Sequence, residues 1–575
     1  MKSTGHIVII LLAVLTLAAA EIRNKGWWKN MVFYQIYPRS FKDSDGDGVG
    51  DLKGIISKLD HFKDAGIGAI WLSPINRSPM VDMGYDIADF KDVDPTFGTL
   101  SDLDDLLKKA HDLGLKVILD LVPNHTSDLH YWFQMSRRKK GKYSDYYVWH
   151  DGKCADTNDA KCLPNNWLSV FGKSGWTYDQ DRKQYYYHQF YSQQPDLNYN
   201  NPDVQREMKE VIRYWLNRGM DGFRIDAVPH IFENNITQDE PISNHPTAKP
   251  DEHNYLSHIL TKDQPQTYEL IKSWRDYVDE YANQNNRDEI ILMTEAYTNL
   301  NNTLKYYNFG SHIPFNFKYI TEANANSNIT RFKEIADDWI SGMPAGSTAN
   351  WVMGNHDRNR VESRYPGKGE HMIMLSMILP GVAVTYYGEE IGMQDNTNFT
   401  FSDFRDGCRT PMQWDDSSLA GFTSGNSTWL PVHSNYLTLN LKKEKEDANS
   451  HYKVYTSLVA LRKSSNALKE GDVHTDVLDN DVLAVRRSAS DEIVTLLLNF
   501  KNDSVNVKLS DLLKKKHTEV KLSSVGSSVA ANAIVNLDSF TLPRYASVVL
   551  VSGASTVGFS LISVLLLAAI SLFRL

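Results

Sequence analysis

The sequence predicts an α/β fold: a closed (β/α)8 barrel with an inserted domain after the third strand and a C-terminal antiparallel β domain. Three observations carry this. Short apolar runs alternate with amphipathic stretches between Val32 and Glu390, the rhythm of repeated strand-helix units. Four segments far apart in the chain each place a carboxylate at the end of an apolar run: Asp120 in KVILDLVPNH, Asp226 in DGFRIDAVPH, Glu295 in IILMTEAY and Asp357 in NWVMGNHD. An unpaired buried charge is costly, and the strands of a parallel barrel, which end at one shared mouth, would bring such groups together. No G-x-G-x-x-G and no complete G-x-x-x-x-G-K-[ST] phosphate loop follows any strand-like run, which disfavours an open nucleotide-binding sheet.

Eight strands are expected at 32–37, 69–73, 116–122, 222–226, 289–294, 314–317, 351–354 and 383–387. Helical stretches fall between most of them. In 101–113, Ser101 is a candidate cap, and Leu103, Leu106, Leu107 and Ala110 form a stripe at helical spacing. Residues 126–200 are rich in Tyr, Trp, Asn, Asp and Gln without periodicity. That is too long for an ordinary loop and reads as a domain hanging over the barrel mouth. From about Asp472 short alternating runs such as 482–485 and 493–499 indicate antiparallel β structure.

The ends point to export. An apolar core from Ile7 to Leu17 precedes Ala18-Ala19-Ala20 and polar Glu21, the pattern of a cleaved secretory signal. A second apolar run, Val557 to Leu575, follows the small residues Ser552, Gly553, Ala554 and Ser555. This reads as a GPI-attachment signal, with a retained tail helix as the alternative. The expected layout is therefore signal 1–20, barrel 21–125 and 201–471, inserted domain 126–200, β domain 472–551 and anchor signal 552–575, on the extracellular face of the plasma membrane.

Cysteine usage agrees: Cys154 and Cys162 are placed for a local disulfide, leaving Cys408 unpaired. Sequons at Asn76, Asn235, Asn301, Asn328, Asn398, Asn426 and Asn502 suit a glycosylated surface. Asn124 also fits the pattern but sits in a suspected site segment, so it is expected to be unmodified. With 575 residues, 42% of them hydrophobic, a large core is available, and a net charge of -10 argues against nucleic acid as a partner.

The segments DLVPNH (120–125), QPDLN (194–198), GFRIDAVPH (222–230), TEAY (294–297) and NHD (355–357) resemble the ordered signature of the α-amylase superfamily of glycoside hydrolases (family 13). QIYPRSF (35–41), DSDGDGVGDL (43–52) and RTPMQW (409–414) narrow the resemblance to the α-glucosidase and oligo-1,6-glucosidase branch, particularly insect maltases. The resemblance implies Asp226 as nucleophile, Glu295 as general acid/base and Asp357 as stabiliser of the transition state. Glycosidic cleavage explains why all three are carboxyl groups: one protonates the departing oxygen while an ionised partner attacks the anomeric carbon. Glu295 then needs a raised pKa. Arg224, two residues before Asp226 on one strand, shares its face and is expected to keep Asp226 ionised.

The family pattern also gives His125, Arg224 and His356 as ligands for sugar hydroxyls, Tyr85 as a stacking platform, and Asp86 paired to Arg409. Asp120 is expected to be structural, orienting its neighbours. Asp43, Asp45, Asp47 and Asp51 with the carbonyl of Val49 have the spacing of an oxygen-ligand loop for Ca2+ or Mg2+. Gly54 stands where an EF-hand has its last glutamate, so it is not an EF-hand; the resemblance implies a structural Ca2+ and no cofactor for catalysis. The other reading is a solvated Asp/Gly turn.

In the branch that the sequence resembles, the residue after the nucleophile tends to be valine where α-1,6 bonds are preferred and smaller or polar where α-1,4 bonds are cleaved; Ala227 therefore implies maltose, sucrose and short α-1,4-linked oligosaccharides, by a difference worth about 1–3 kcal/mol. Two alternatives come from other classes: a catalytically idle binding protein like the transporter heavy chains that resemble this family, or an enzyme that doubles as a surface receptor for a protein such as a bacterial toxin. The standing Asp226, Glu295 and Asp357 argue against the first; nothing in the residues selects the second.

Overall fold

The computed structural model describes residues 22–154, 162–479 and 481–553. The expected signal at 1–20 and all of the anchor segment beyond Gly553 lie outside the described residues. Eight strands form one parallel sheet: β1 Val32–Ile36, β2 Ala69–Leu72, β3 Lys116–Leu121, β4 Gly222–Ile225, β5 Ile291–Thr294, β6 Ile313–Pro314, β7 Asn350–Val352 and β8 Val382–Tyr386. Their order is β6-β5-β4-β3-β2-β1-β8-β7, so β1 lies between β2 and β8. The seam between β6 and β7 is fastened by a side chain. Asn350 Nδ2 donates to the Pro314 carbonyl at 2.6 Å, and Asn350 Oδ1 accepts from the Asn316 backbone N–H at 2.8 Å.

These strands read as near-continuous apolar runs because both faces are covered. Phe33, Trp71, Ile118, Ile291, Met293, Ile313, Val352 and Val384 share the barrel interior. Their neighbours Tyr34, Ile36, Leu119 and Leu292 pack outward against the helices. The helix expected at 101–113 spans Leu100–Asp112, and Thr99, not Ser101, caps it. The reason is reciprocal bonding: Thr99 accepts from the Asp102 N–H, and Asp102 accepts from the Thr99 N–H.

The insert after β3 is built around a three-stranded antiparallel sheet, with Gln184–Tyr187 between Trp149–His150 and Trp176–Asp179. Trp167, Trp176, Tyr185 and Tyr187 form its own small core, and Cys154 and Cys162 are disulfide-bonded. A second long excursion, 228–264 after β4, was not expected. It clamps the insert through Asn165 Nδ2 to Ile236 O (2.8 Å) and Trp167 Nε1 to Gln238 O (3.0 Å). The C-terminal part holds a six-stranded antiparallel sheet that starts at Asp472–Leu478 and ends at Ser547–Gly553.

One sequon is corrected. Asn76 is buried, and its amide donates to the Phe90 carbonyl at 2.9 Å, so no glycan fits there in the folded chain. Asn235, Asn301, Asn328, Asn398, Asn426 and Asn502 are exposed. Among the described residues no helix is long and apolar enough to cross a membrane.

Candidate active site

The carboxylates converge because their strands end together. Asp226 follows β4, Glu295 follows β5 and Asp357 lies beyond β7. All three line one cavity of about 810 Å³, together with Tyr85, His125 and His356. Phe171, Lys173 and Phe190 of the insert and Asp251 to Asn254 of the second excursion form its rim.

At its centre is Arg224, 1% exposed. Its Nη1 bonds Asp226 and meets Asp120 Oδ1 at 3.0 Å, while Nη2 lies 3.5 Å from Glu295 Oε1. Glu295 is held from the other side by the Ala227 N–H, which donates to Oε2 at 2.6 Å. Asp120 is fully enclosed, and it accepts from Tyr85 OH (3.0 Å) and Trp71 Nε1 (3.2 Å). That is an orienting role rather than a reacting one.

Burial pushes Glu295 up to about 8, helped by the negative charges of Asp226 and Asp357 against the pull of Arg224. Arg224 favours the ionised form of Asp226, as expected, but only in part. Burial and the nearby Asp120 and Asp357 raise Asp226 to about 7 despite Arg224. One cation is shared among three carboxylates, so it offsets each only partly. The order still serves the chemistry, since Glu295 holds its proton more tightly than Asp226.

Asp357 goes the other way. Burial opposes ionisation, yet His356, Arg405 and Arg409 facing it hold its carboxyl well below the usual range. Burial keeps His356 itself at about 3, so at neutral pH the two guanidiniums supply the charge, at 3.3 and 3.2 Å. Burial likewise keeps His125 neutral, at about 4. Tyr85 stacks on His356 with ring centroids 5.2 Å apart.

The predicted pairing of Asp86 with Arg409 is not what forms. Asp86 turns into the backbone N–H groups of Val81 and Asp82 and the Ser78 hydroxyl. Arg409 is directed to Asp357 and to the His356 carbonyl (2.7 Å). The pair at the cavity wall is instead Asp82 with Arg405, at 2.7 Å. Both had been missed; Asp82 lies four residues before Asp86 across Tyr85, and only the fold decides which faces inward. Tyr297 and Lys262, also cavity-lining, carried no motif signal beyond the TEAY segment.

Away from the cavity, Asp43, Asp45 and Asp51 bring carboxylate oxygens within 4.8 Å of one another. That is close enough to share one hard cation. Asp47 turns to the Val49 N–H (2.7 Å) instead. The loop is tightly seated: at Gly48, φ +92°, an added Cβ would fall 2.5 Å from the Ser427 carbonyl.

A parallel barrel that gathers three carboxylates beyond the ends of β4, β5 and β7 around one cavity has the architecture of a glycoside hydrolase. The catalytic-domain model of the alpha-amylase family (Alpha amylase, catalytic domain) matches residues 35–471, and the chain belongs to that family. It is 48% identical to Maltase 1 of Drosophila virilis over 540 residues, covering 89% of this chain and 85% of that protein. It is 46% identical to Alpha-glucosidase of Apis mellifera over 509 residues, covering 85% and 88%. Among solved structures, the alpha-glucosyl transfer enzyme XgtA superposes with a TM-score of 0.80 at 34% identity, over 92% of this chain and 99% of that one.

Proposed function

We propose that this protein is a retaining α-glucosidase that releases terminal glucose from maltose, sucrose and short α-1,4-linked oligosaccharides. The observation that carries it is Arg224 holding Asp226 and Glu295 on two nitrogens of one guanidinium, at the wall of one cavity. Asp226 attacks the anomeric carbon. Glu295 protonates the leaving oxygen and then, as base, activates the water that breaks the glucosyl-enzyme bond. Asp357, kept ionised by Arg405 and Arg409, stabilises positive charge developing on the ring. The Asp82–Arg405 pair and the insert close one end of the cavity, which favours single terminal units over internal cutting. A hydrolysis panel of maltose, isomaltose, sucrose and starch tests this; release of oligosaccharides from starch by internal cleavage, or no release of glucose from maltose, counts against it.

The loop holding Asp43, Asp45 and Asp51 is read as a structural Ca2+ site, with Mg2+ the smaller and less suited ion. The donor set fits: three carboxylates gathered at hydrogen-bonded turns, far from the reacting groups. The ion would tie the loop after β1 to the segment around Ser427.

We also read the tail as a GPI signal that leaves the enzyme on the outer face of the plasma membrane. Ser552 and Gly553 are taken up by the final strand, opposite Ile493 and Glu492, which supports attachment beyond them. Phosphatidylinositol-specific phospholipase is expected to release the protein from cells, and retention after treatment would favour a spanning tail helix.

A further inference from the structure

Both ring nitrogens of His356 have a neighbour. Nε2 lies 3.5 Å from Asp357 Oδ2, the oxygen left over when Arg405 and Arg409 take Oδ1. Nδ1 lies 2.8 Å from the amide nitrogen of Gln35. The ring also stacks against Tyr85 and Tyr37, with centroids 5.2 and 5.7 Å away, so it has little freedom to turn.

Gln35 comes from β1, in the segment QIYPRSF that also supplies Tyr37. It is fully enclosed. Its Nε2 also donates to the Ser73 hydroxyl at 3.2 Å, while its Oε1 has no partner among the described residues. A buried amide oxygen without a partner is costly, so this orientation of the amide needs a reason, and Asp357 supplies it. Burial keeps His356 neutral, and a neutral imidazole carries one N–H. An ionised carboxylate only accepts, so the hydrogen sits on Nε2, facing Asp357. Nδ1 is then a lone pair and requires a donor; the flipped amide would set the Gln35 oxygen against it. The bond made by one nitrogen of a histidine decides the protonation of the other. Because His356 lines the catalytic cavity, this choice decides what a sugar meets there: a donor at Nε2–H, or a bare lone pair.

We propose that Gln35 is a positioning residue for glycoside cleavage, whose amide locks His356 in the Nε2–H tautomer so that the ring donates to a hydroxyl oxygen of the bound glucose unit. The inference rests on the α-glucosidase reading.

Two variants test it, each compared with the unaltered enzyme by kcat/KM for maltose from about pH 5.5 to about pH 8.5. Gln35→Met keeps the length of the side chain and removes the donor; efficiency falls about tenfold at every pH, the scale of one lost hydrogen bond. Gln35→Glu keeps the shape, but the introduced carboxylate draws the hydrogen to Nδ1 and leaves Nε2 bare. A proton taken up by that carboxylate or by the ring restores Nε2–H, so the efficiency of this variant relative to the unaltered enzyme is low at the alkaline end and recovers as pH falls. With maltose analogues that each lack one hydroxyl of the terminal glucose, the penalty of Gln35→Met vanishes for the analogue without the accepting oxygen. Thermal melting at the same pH values reports the fold, and if Gln35→Met does not fold, the pH response of Gln35→Glu decides alone. Gln35→Met within about twofold of the unaltered enzyme, or a relative efficiency of Gln35→Glu that is flat with pH, would overturn the role of Gln35 and leave the α-glucosidase reading in place. Failure of the unaltered enzyme to cleave maltose would instead remove that reading, and this inference with it.

Discussion

Arg224 Nη2 lies 3.5 Å from Glu295 Oε1 while Nη1 of the same guanidinium bonds Asp226. The proposed acid and nucleophile are therefore positioned by a single buried cation, and replacing either carboxylate leaves that cation with two other acidic partners. Asp226→Asn is isosteric, and Asp120 stays bonded to Arg224 at 3.0 Å. The variant is expected to fold and be secreted normally yet to hydrolyse maltose at least ~10³-fold more slowly. Near-normal turnover would remove Asp226 from the mechanism; circular dichroism and thermal melting check the fold.

The two carboxyls also set the pH dependence. Activity needs Asp226 ionised and Glu295 protonated, so it rises as pH passes through about 7 and falls through about 8. The two steps belong to the pair as a whole. The profile of kcat/KM for maltose is expected to be a narrow bell in the neutral to mildly alkaline range. Glu295→Gln is expected to abolish the descending limb, with residual activity kept best on substrates whose leaving group needs no proton. Stability runs the other way. Both folded values lie above the unfolded values of 3.8 and 4.5, so the contribution of these groups is full at low pH and is lost as pH rises through about 7 and 8. An activity profile flat from pH 5 to 9 would contradict the assignment.

Much of this was legible before any coordinates. The eight strands announced themselves as buried apolar runs because a parallel barrel covers both strand faces, and most boundaries moved by only a residue or two, as at 289–294 against Ile291–Thr294, the largest change being at 314–317, which is Ile313–Pro314. Asp226, Glu295 and Asp357 were legible because each follows such a run. What failed was what depends on orientation alone. Asp82 and Asp86 are alike in sequence, and a turn at positive φ around Met83 and Gly84 directs the former to Arg405 and the latter into backbone N–H groups. The 228–264 excursion escaped because its short 3-10 turns leave no periodicity to read.

Chelation tests the proposed cation loop and separates stability from chemistry. Because the trio of Asp43, Asp45 and Asp51 lies outside the cavity-lining set, chelation is expected to lower the melting temperature by about 3 °C from its value at an ion concentration of about 100 Kd. Maltose hydrolysis measured well below that temperature is expected to be unchanged. Asp45→Ala, at an exposed position of the proposed cation loop, is expected to melt lower and to lose the response to chelator. A protein indifferent to chelator and to Asp45→Ala alike would mark the loop as a self-satisfied turn held by its own N–H to carboxylate bonds.

Ala227 couples linkage preference to backbone shape. It lines the cavity next to the nucleophile, donates its N–H to Glu295 and adopts φ +49°. A β-branched side chain is disfavoured in that left-handed region, so Ala227→Val adds bulk beside the departing sugar and strain behind the catalytic acid together. Efficiency on maltose is expected to fall roughly tenfold relative to isomaltose, the range one or two methyl groups command in a pocket. The melting temperature is expected to drop with it, by the equivalent of about 1–3 kcal/mol. Measuring both distinguishes the causes: Ala227→Gly relieves strain without adding bulk, so it should keep the maltose preference. If Ala227→Val leaves the maltose-to-isomaltose ratio untouched while lowering stability, this position shapes the backbone alone and selectivity lies elsewhere on the cavity wall.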